Sequence, residues 1–103
     1  MKTLHDLQNE MQACGLGDYF DALAPMARNA IRIHPEIQAE EEIPVGASKL
    51  GGCPDLPAGM SWFYTPHTDV PMSFVAQVNF AEAAPYDTEH QLPERGILYF
   101  FYD

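Results

Sequence analysis

Residues 97–102 read Ile-Leu-Tyr-Phe-Phe-Tyr, six consecutive apolar or aromatic side chains followed only by Asp103. The run is far shorter than the roughly 20 residues a membrane-spanning helix needs, and its aromatic content favours a β-strand. A strand of this kind is expected to be buried on both faces and paired on both sides. With one residue after it, nothing further in the chain can supply that cover. The sequence is therefore read as an incomplete domain. An uncovered aromatic edge also invites association, so self-association through this C-terminal strand is an expected contact.

Two other segments carry strand patterns. In "MSFVAQVNF", residues 72–80, Phe74, Ala76, Val78 and Phe80 are predicted to share one face, and the intervening residues are apolar enough for both faces to be covered. In "AIRIHPEI", residues 30–37, Ile31 and Ile33 alternate with Arg32 and His34, which predicts a half-buried strand. Pro35 places that strand at an edge or a bulge. Before residue 30 the period is helical. Thr3 and Asp6 form a capping box, Leu4, Leu7, Met11 and Cys14 share a face, and Gly15 supplies a stop, giving a helix over residues 4–14. A second helix starts near Asp18 and Asp21 with Phe20, Leu23 and Ala27 inward, and Pro25 shortens or breaks it. Residues 81–96 read as a helical turn followed by a loop.

At 103 residues the chain is long enough for one domain, divided here into a helical part, 1–29, and a strand-and-loop part, 30–103. Fifteen acidic residues against five dispersed basic ones (Lys2, Arg28, Arg32, Lys49 and Arg95) give a net charge of −10, which excludes a nucleic-acid footprint or an anionic membrane surface as partner. The polar N-terminal stretch lacks a secretory pattern, Asn9, Asn29 and Asn79 are not in glycosylation sequons, and Cys14 and Cys53 stand outside any CxxC. These features read together as a cytoplasmic protein with two free thiols.

The chemistry-bearing residues yield near misses. Gly51-Gly52 lacks the Lys-Ser/Thr ending of a P-loop, and Pro54 and Pro57 prevent a helix from starting after it. Gly46-Ala47-Ser48 begins like a nucleophile elbow, but Leu50 stands where its second glycine belongs, and Lys49 next to Ser48 points to the opposite face. Ser48 is therefore given a structural role, and internal Ser48-Lys49-Leu50 is not a peroxisomal address. Glu40, Glu41 and Glu42 lack calcium-loop spacing. His5, His34, His67 and His90 lack the spacing of a compact metal site. No cofactor or metal site is expected. Gln77 and Asn79 are polar residues within an apolar strand, so each must be hydrogen-bonded. With Lys49 and Asp55 they form the candidate ligand-binding set, able to line a small polar pocket.

"GASKLGGCPDLPAGMSW" (46–62), "PMSFVAQVNF" (71–80) and "LPERGILYFFYD" (92–103) together resemble, in order and spacing, the YwqG-like family of bacterial proteins of unknown function. That family carries segments of the form SKxGGxPxLPxxxxWP, PLxFxxQINL and LPxxGxLxFFY. Gly51, Gly52, Pro54, Pro57 and Trp62 match the first, Gly59 joins them in the structural motif at one of its open positions, Phe63 replaces its final proline, and Val78 and Phe80 replace isoleucine and leucine. The resemblance implies an α+β fold, with N-terminal helices packed on a mainly antiparallel sheet, and a domain about twice this length. It also implies, through the toxin and immunity genes near some members, a non-enzymatic module that binds a protein partner. The alternative is an enzyme or small-ligand domain whose site, including Lys49, Asp55, Gln77 and Asn79, is completed by a missing C-terminal half. A third reading is a degenerate copy without independent function.

Overall fold

Thr3 opens the first helix through the predicted capping box. The computed structural model describes residues 3–103, and α1 runs Leu4–Ala13. Thr3 Oγ1 accepts from the Asp6 N–H at 3.1 Å, and the Asp6 carboxylate accepts from the Thr3 N–H at 3.2 Å. Two of the helix's unpaired donors are thereby satisfied, with a negative charge at the positive end of the helix dipole. Met11 is the buried residue of this helix. Gly15, at φ 78°, ends the turn, a conformation costly for a residue with a Cβ.

The second helix is short and broken, as Pro25 requires: α2 runs Phe20–Leu23 and passes into a 3₁₀ turn over Ala24–Met26. The predicted inner face does not form. Phe20 is half-buried, but Leu23 is exposed, and Ala27 has already left the helix for extended backbone. These helices belong to one compact unit ending at Ala30; a second runs Ile31–Asp103.

The strand predicted over residues 30–37 is not formed. Residues 27–39 carry neither helix nor strand, and Ile33 and Ile37 are exposed. The alternation supplies a face, but no neighbouring strand pairs with the segment, and Pro35 removes one of the donors pairing would use. The acidic stretch that follows contains a 3₁₀ turn, Glu40–Glu42.

The rest is an antiparallel three-stranded sheet in the order β1-β2-β3, which with the helices makes the fold α+β. Strand β1 is Lys49–Leu50, β2 is Ser73–Asn79 and β3 is Ile97–Tyr102. Lys49 lies opposite Gln77, and Gln77 opposite Tyr99; Leu50 lies opposite Ala76, and Ala76 opposite Phe100. Residues opposite one another in an antiparallel pair point to the same face. One face therefore carries Lys49, Gln77, Asn79, Ile97, Tyr99 and Phe101. The other carries Leu50, Ala76, Val78, Leu98, Phe100 and Tyr102.

The register shifts by one between Phe74 and Ala76, because Val75 is an extra residue in β2. This bulge corrects the predicted face. Phe74 pairs with Phe101 and joins the side of Gln77, while Ala76 and Val78 lie on the opposite side. Phe80 is not in the strand at all. Asn79 caps a helical turn, α3, over Phe80–Ala83, which runs into a 3₁₀ turn at Ala84–Tyr86, as predicted for this stretch.

Strand β3 is likewise not buried on both faces. Ile97, Tyr99 and Phe101 are half-buried while Leu98, Phe100 and Tyr102 are exposed, and β2 is its one neighbour in the sheet. On the covered face, Phe101 is surrounded by aromatic rings. Trp62 meets it edge-on at 5.3 Å, Phe63 lies at 4.7 Å and Phe74 at 5.7 Å between ring centroids. The Trp62 indole N–H donates to the Met72 carbonyl at 2.8 Å, which fixes the ring's approach. The segment from Gly51 to Trp62 thus carries its indole onto the sheet.

The two faces make opposite predictions for adjacent residues. Phe101→Ala is expected to lower unfolding stability by about 2 kcal/mol in chemical denaturation, and Phe100→Ala by well under 1 kcal/mol. Equal losses would contradict the alternation described here.

Candidate functional site

The row Lys49–Gln77–Tyr99 crosses all three strands, and Asp55 lies over it. The backbone brings Asp55 there through a turn at Gly51-Gly52, where both φ values lie near +70°. Gly51 donates to the Val75 carbonyl at 2.7 Å, extending the β1 edge by one bond. At Gly52 a Cβ would displace the exposed Glu40 carboxylate from its place beside Lys49, and the positive φ is what calls for the second glycine.

Asp55 is engaged through its N–H, its carbonyl and its carboxylate Oδ2. Its N–H donates to Gln77 Oε1 at 2.9 Å, and its carbonyl accepts from the Tyr99 hydroxyl at 2.5 Å. Its carboxylate accepts from the Gly46 N–H and from Gln77 Nε2, each at 2.8 Å, and lies 3.5 Å from Lys49 Nζ. Gln77, 1% exposed, also donates from Nε2 to the Ala47 carbonyl at 2.8 Å. Lys49 Nζ makes its shorter contact, 2.8 Å, with Glu40, and its side chain is only 5% exposed. Among the described residues no buried side-chain nitrogen or oxygen lacks a hydrogen-bond partner.

Asn79 joins this cluster through Gly46. Its Nδ2 donates to the Gly46 carbonyl at 2.8 Å, so Gly46 is held by its C=O to Asn79 and by its N–H to Asp55. The same side chain caps α3 by accepting from the Ala81 N–H at 2.9 Å. Ser48 is tied in similarly. Its Oγ accepts from the Asn79 N–H at 2.8 Å, and its own N–H faces the Glu82 carboxylate at 3.2–3.3 Å.

All four candidate residues, Lys49, Asp55, Gln77 and Asn79, are thus brought together, and the polar atoms described above are bonded within the fold. Sequence reasoning missed Tyr99, Glu40 and Gly46. Tyr99 was hidden in an apolar run, although a phenol in the middle of a strand needs a partner for its hydroxyl. Glu40 was weighed only against calcium spacing. Among the described residues no group of three or more His, Cys, Asp or Glu side chains could hold a metal. His5, His34, His67 and His90 are exposed, as are the free thiols Cys14 and Cys53. No helix among the described residues is long and apolar enough to cross a membrane.

The electrostatics follow from these contacts. The Gly46 N–H, then the Gln77 amide and the Lys49 ammonium, hold the Asp55 carboxyl below its ordinary pKa. The hydrogen bond to Glu40 does most to raise Lys49 above its own. The arrangement stabilises a carboxylate and an ammonium in their charged forms, which suits fixed charges better than proton transfer near neutral pH.

The model of a family described as a domain of unknown function (DUF1963) matches residues 48–103, which contain all three strands and all four candidate residues. No curated protein and no solved structure matches the chain.

Gln77→Met preserves volume but strands the Asp55 N–H and the Ala47 carbonyl, and is expected to cost about 3 kcal/mol of unfolding stability. A carboxyl whose folded pKa is lowered contributes stability above its unfolded pKa of about 3.9, and that contribution is lost as pH falls through the folded value. The stability gap between the native chain and Asp55→Asn, measured by thermal unfolding, is therefore expected to be full at pH 7 and to shrink below about pH 4. A gap that stays constant into acid would contradict the charged role of Asp55.

Proposed function

The chain belongs to the DUF1963 family, a domain of unknown function, and we propose that it is a non-enzymatic protein-binding module that presents the open face of its sheet to a basic partner protein. The observation that carries this reading is the face formed by Leu50, Ala76, Val78, Leu98, Phe100 and Tyr102. Phe100 is 47% exposed and Tyr102 71%, and none of these six side chains is charged. Large apolar patches on soluble proteins mark interaction surfaces. A net charge of −10 gives the partner its sign, since complementary charge steers encounter and rejects acidic proteins.

The polar cluster around Asp55 is read as a structural clasp, because its groups already satisfy one another. The finer family reading is the YwqG-like one, supported by the motifs at 46–62, 71–80 and 92–103. It favours a bacterial protein and a partner drawn from toxin and immunity systems. A cytoplasmic location is consistent with two exposed free thiols.

The test places a photo-crosslinking side chain at Phe100 and, as a control, at Ile33, which is exposed but outside the sheet. A stoichiometric basic protein captured from position 100 and not from position 33 is expected. Its purified complex should weaken by at least about tenfold between low and high salt. Equal capture from both positions, capture of nothing in stoichiometric amount, or a salt-insensitive complex would sink this reading.

A further inference from the structure

We propose that the free edge of β3 pairs antiparallel with β3 of a second copy of this chain, joining two three-stranded sheets into one of six. The pairing uses the sheet edge, whereas the partner proposed above uses its open face, so the inference rests on the same strand but not on that partner. Strand β2 occupies one side of β3, and every second residue of β3 directs its N–H and C=O off the sheet on the other side. Soluble proteins blunt such edges with a charge, a proline or a bulge. Strand β3 has none of these: it contains no charged residue, proline or glycine, and the register shift lies in β2.

The strand is also self-complementary. A twofold axis through Phe100 places Phe100 opposite itself, Leu98 opposite Tyr102, and Tyr99 opposite Phe101 of the second copy. Each pair keeps both residues on one face, so the open face and the covered face both continue across the seam. Aromatic and aliphatic side chains then meet along the middle of the seam, with Asp103 of each copy opposite Ile97 of the other at its ends.

The surface is available for it. The chain exposes 8499 Å². Two separate bodies with the lengths of its two units are expected to expose about 6,800 Å². The surplus, on the order of 1,700 Å², exceeds the roughly 800 Å² that each partner gives to a standard stable interface.

Charge sets the salt dependence. Each copy carries −10, and the seam holds no cation and only Asp103 at either end, so repulsion opposes association while the contact does not depend on ion pairs. Salt screens that repulsion and strengthens apolar contact. The dimer should therefore tighten with salt, opposite to the complex with a basic partner.

Sedimentation velocity and light scattering on the full chain, at about 20 mM and about 500 mM NaCl, test the proposal. The mass is expected to rise with concentration from 11.5 kDa toward twice that value, with Kd falling at least about fivefold at the higher salt. Amide hydrogen exchange should show alternate residues of β3 becoming protected as the dimer forms. Phe100→Lys, which places two ammonium groups at the axis, should weaken the dimer at least about tenfold. If that variant does not fold, exchange on the native chain still decides. A monomer at every concentration, a dimer loosened by salt, or a dimer whose β3 amides all exchange at monomer rates would overturn the proposal. A dimer without a captured basic partner leaves this inference standing and removes the other.

Discussion

Asp55 holds the sheet together from outside it. Its backbone and side chain reach one residue of each strand, Lys49 in β1, Gln77 in β2 and Tyr99 in β3, all in a single cross-strand row. A two-residue strand such as β1 contributes too few ladder bonds to fix its own place. Here its position follows from the ammonium of Lys49, the Gly51 N–H and the Gln77 amide acting on the loop at both ends. Because Gln77 is buried, its bonds to Asp55 and Ala47 are made in a medium that weakens charge less than water does. Full satisfaction is what makes such a network stabilising, since any stranded member would cost more than the bond it lost.

That clasp explains the spacing of the motif better than any ligand does. Ser48 and Lys49 must point to opposite sides, one to the Asn79 backbone and one to the carboxylates. Two left-handed glycines then reverse the chain within reach of Gln77, and Pro54 delivers Asp55 with its N–H facing the sheet. Further along, Trp62 covers Phe101 on the same face. One loop therefore seals one side of the sheet, first with polar contacts and then with aromatic ones.

Much of this was legible in the sequence, and the failures have physical causes. The capping box at Thr3, the break at Pro25 and the two long strands are local, so residue type and spacing were enough to find them. Lys49, Asp55, Gln77 and Asn79 were found because a polar residue in an apolar strand must be answered by something nearby. The bulge at Val75 was not legible, since one extra residue in a run of apolar letters leaves no mark, yet it reverses the side to which Phe74 points. The strand expected at residues 30–37 failed for the complementary reason. Alternation describes one strand's faces, whereas a strand exists only where another supplies its hydrogen bonds.

The same bulge accounts for the asymmetry of the sheet. Without it Phe74 would lie beside Ala76 and Val78, and the ring that now contacts Phe101 would stand on the open face. With it, the large rings of β2 and of the loop collect on the clasped side, and β2 offers the other side only Ala76 and Val78 beyond the bulge. Ala76, between Leu50 and Phe100 in the same row, is buried there. The exposure of Leu98, Phe100 and Tyr102 is thus a consequence of register: once one loop has answered the hydrogen bonds and rings of the first face, the second keeps its apolar side chains with nothing in this sheet left to meet them.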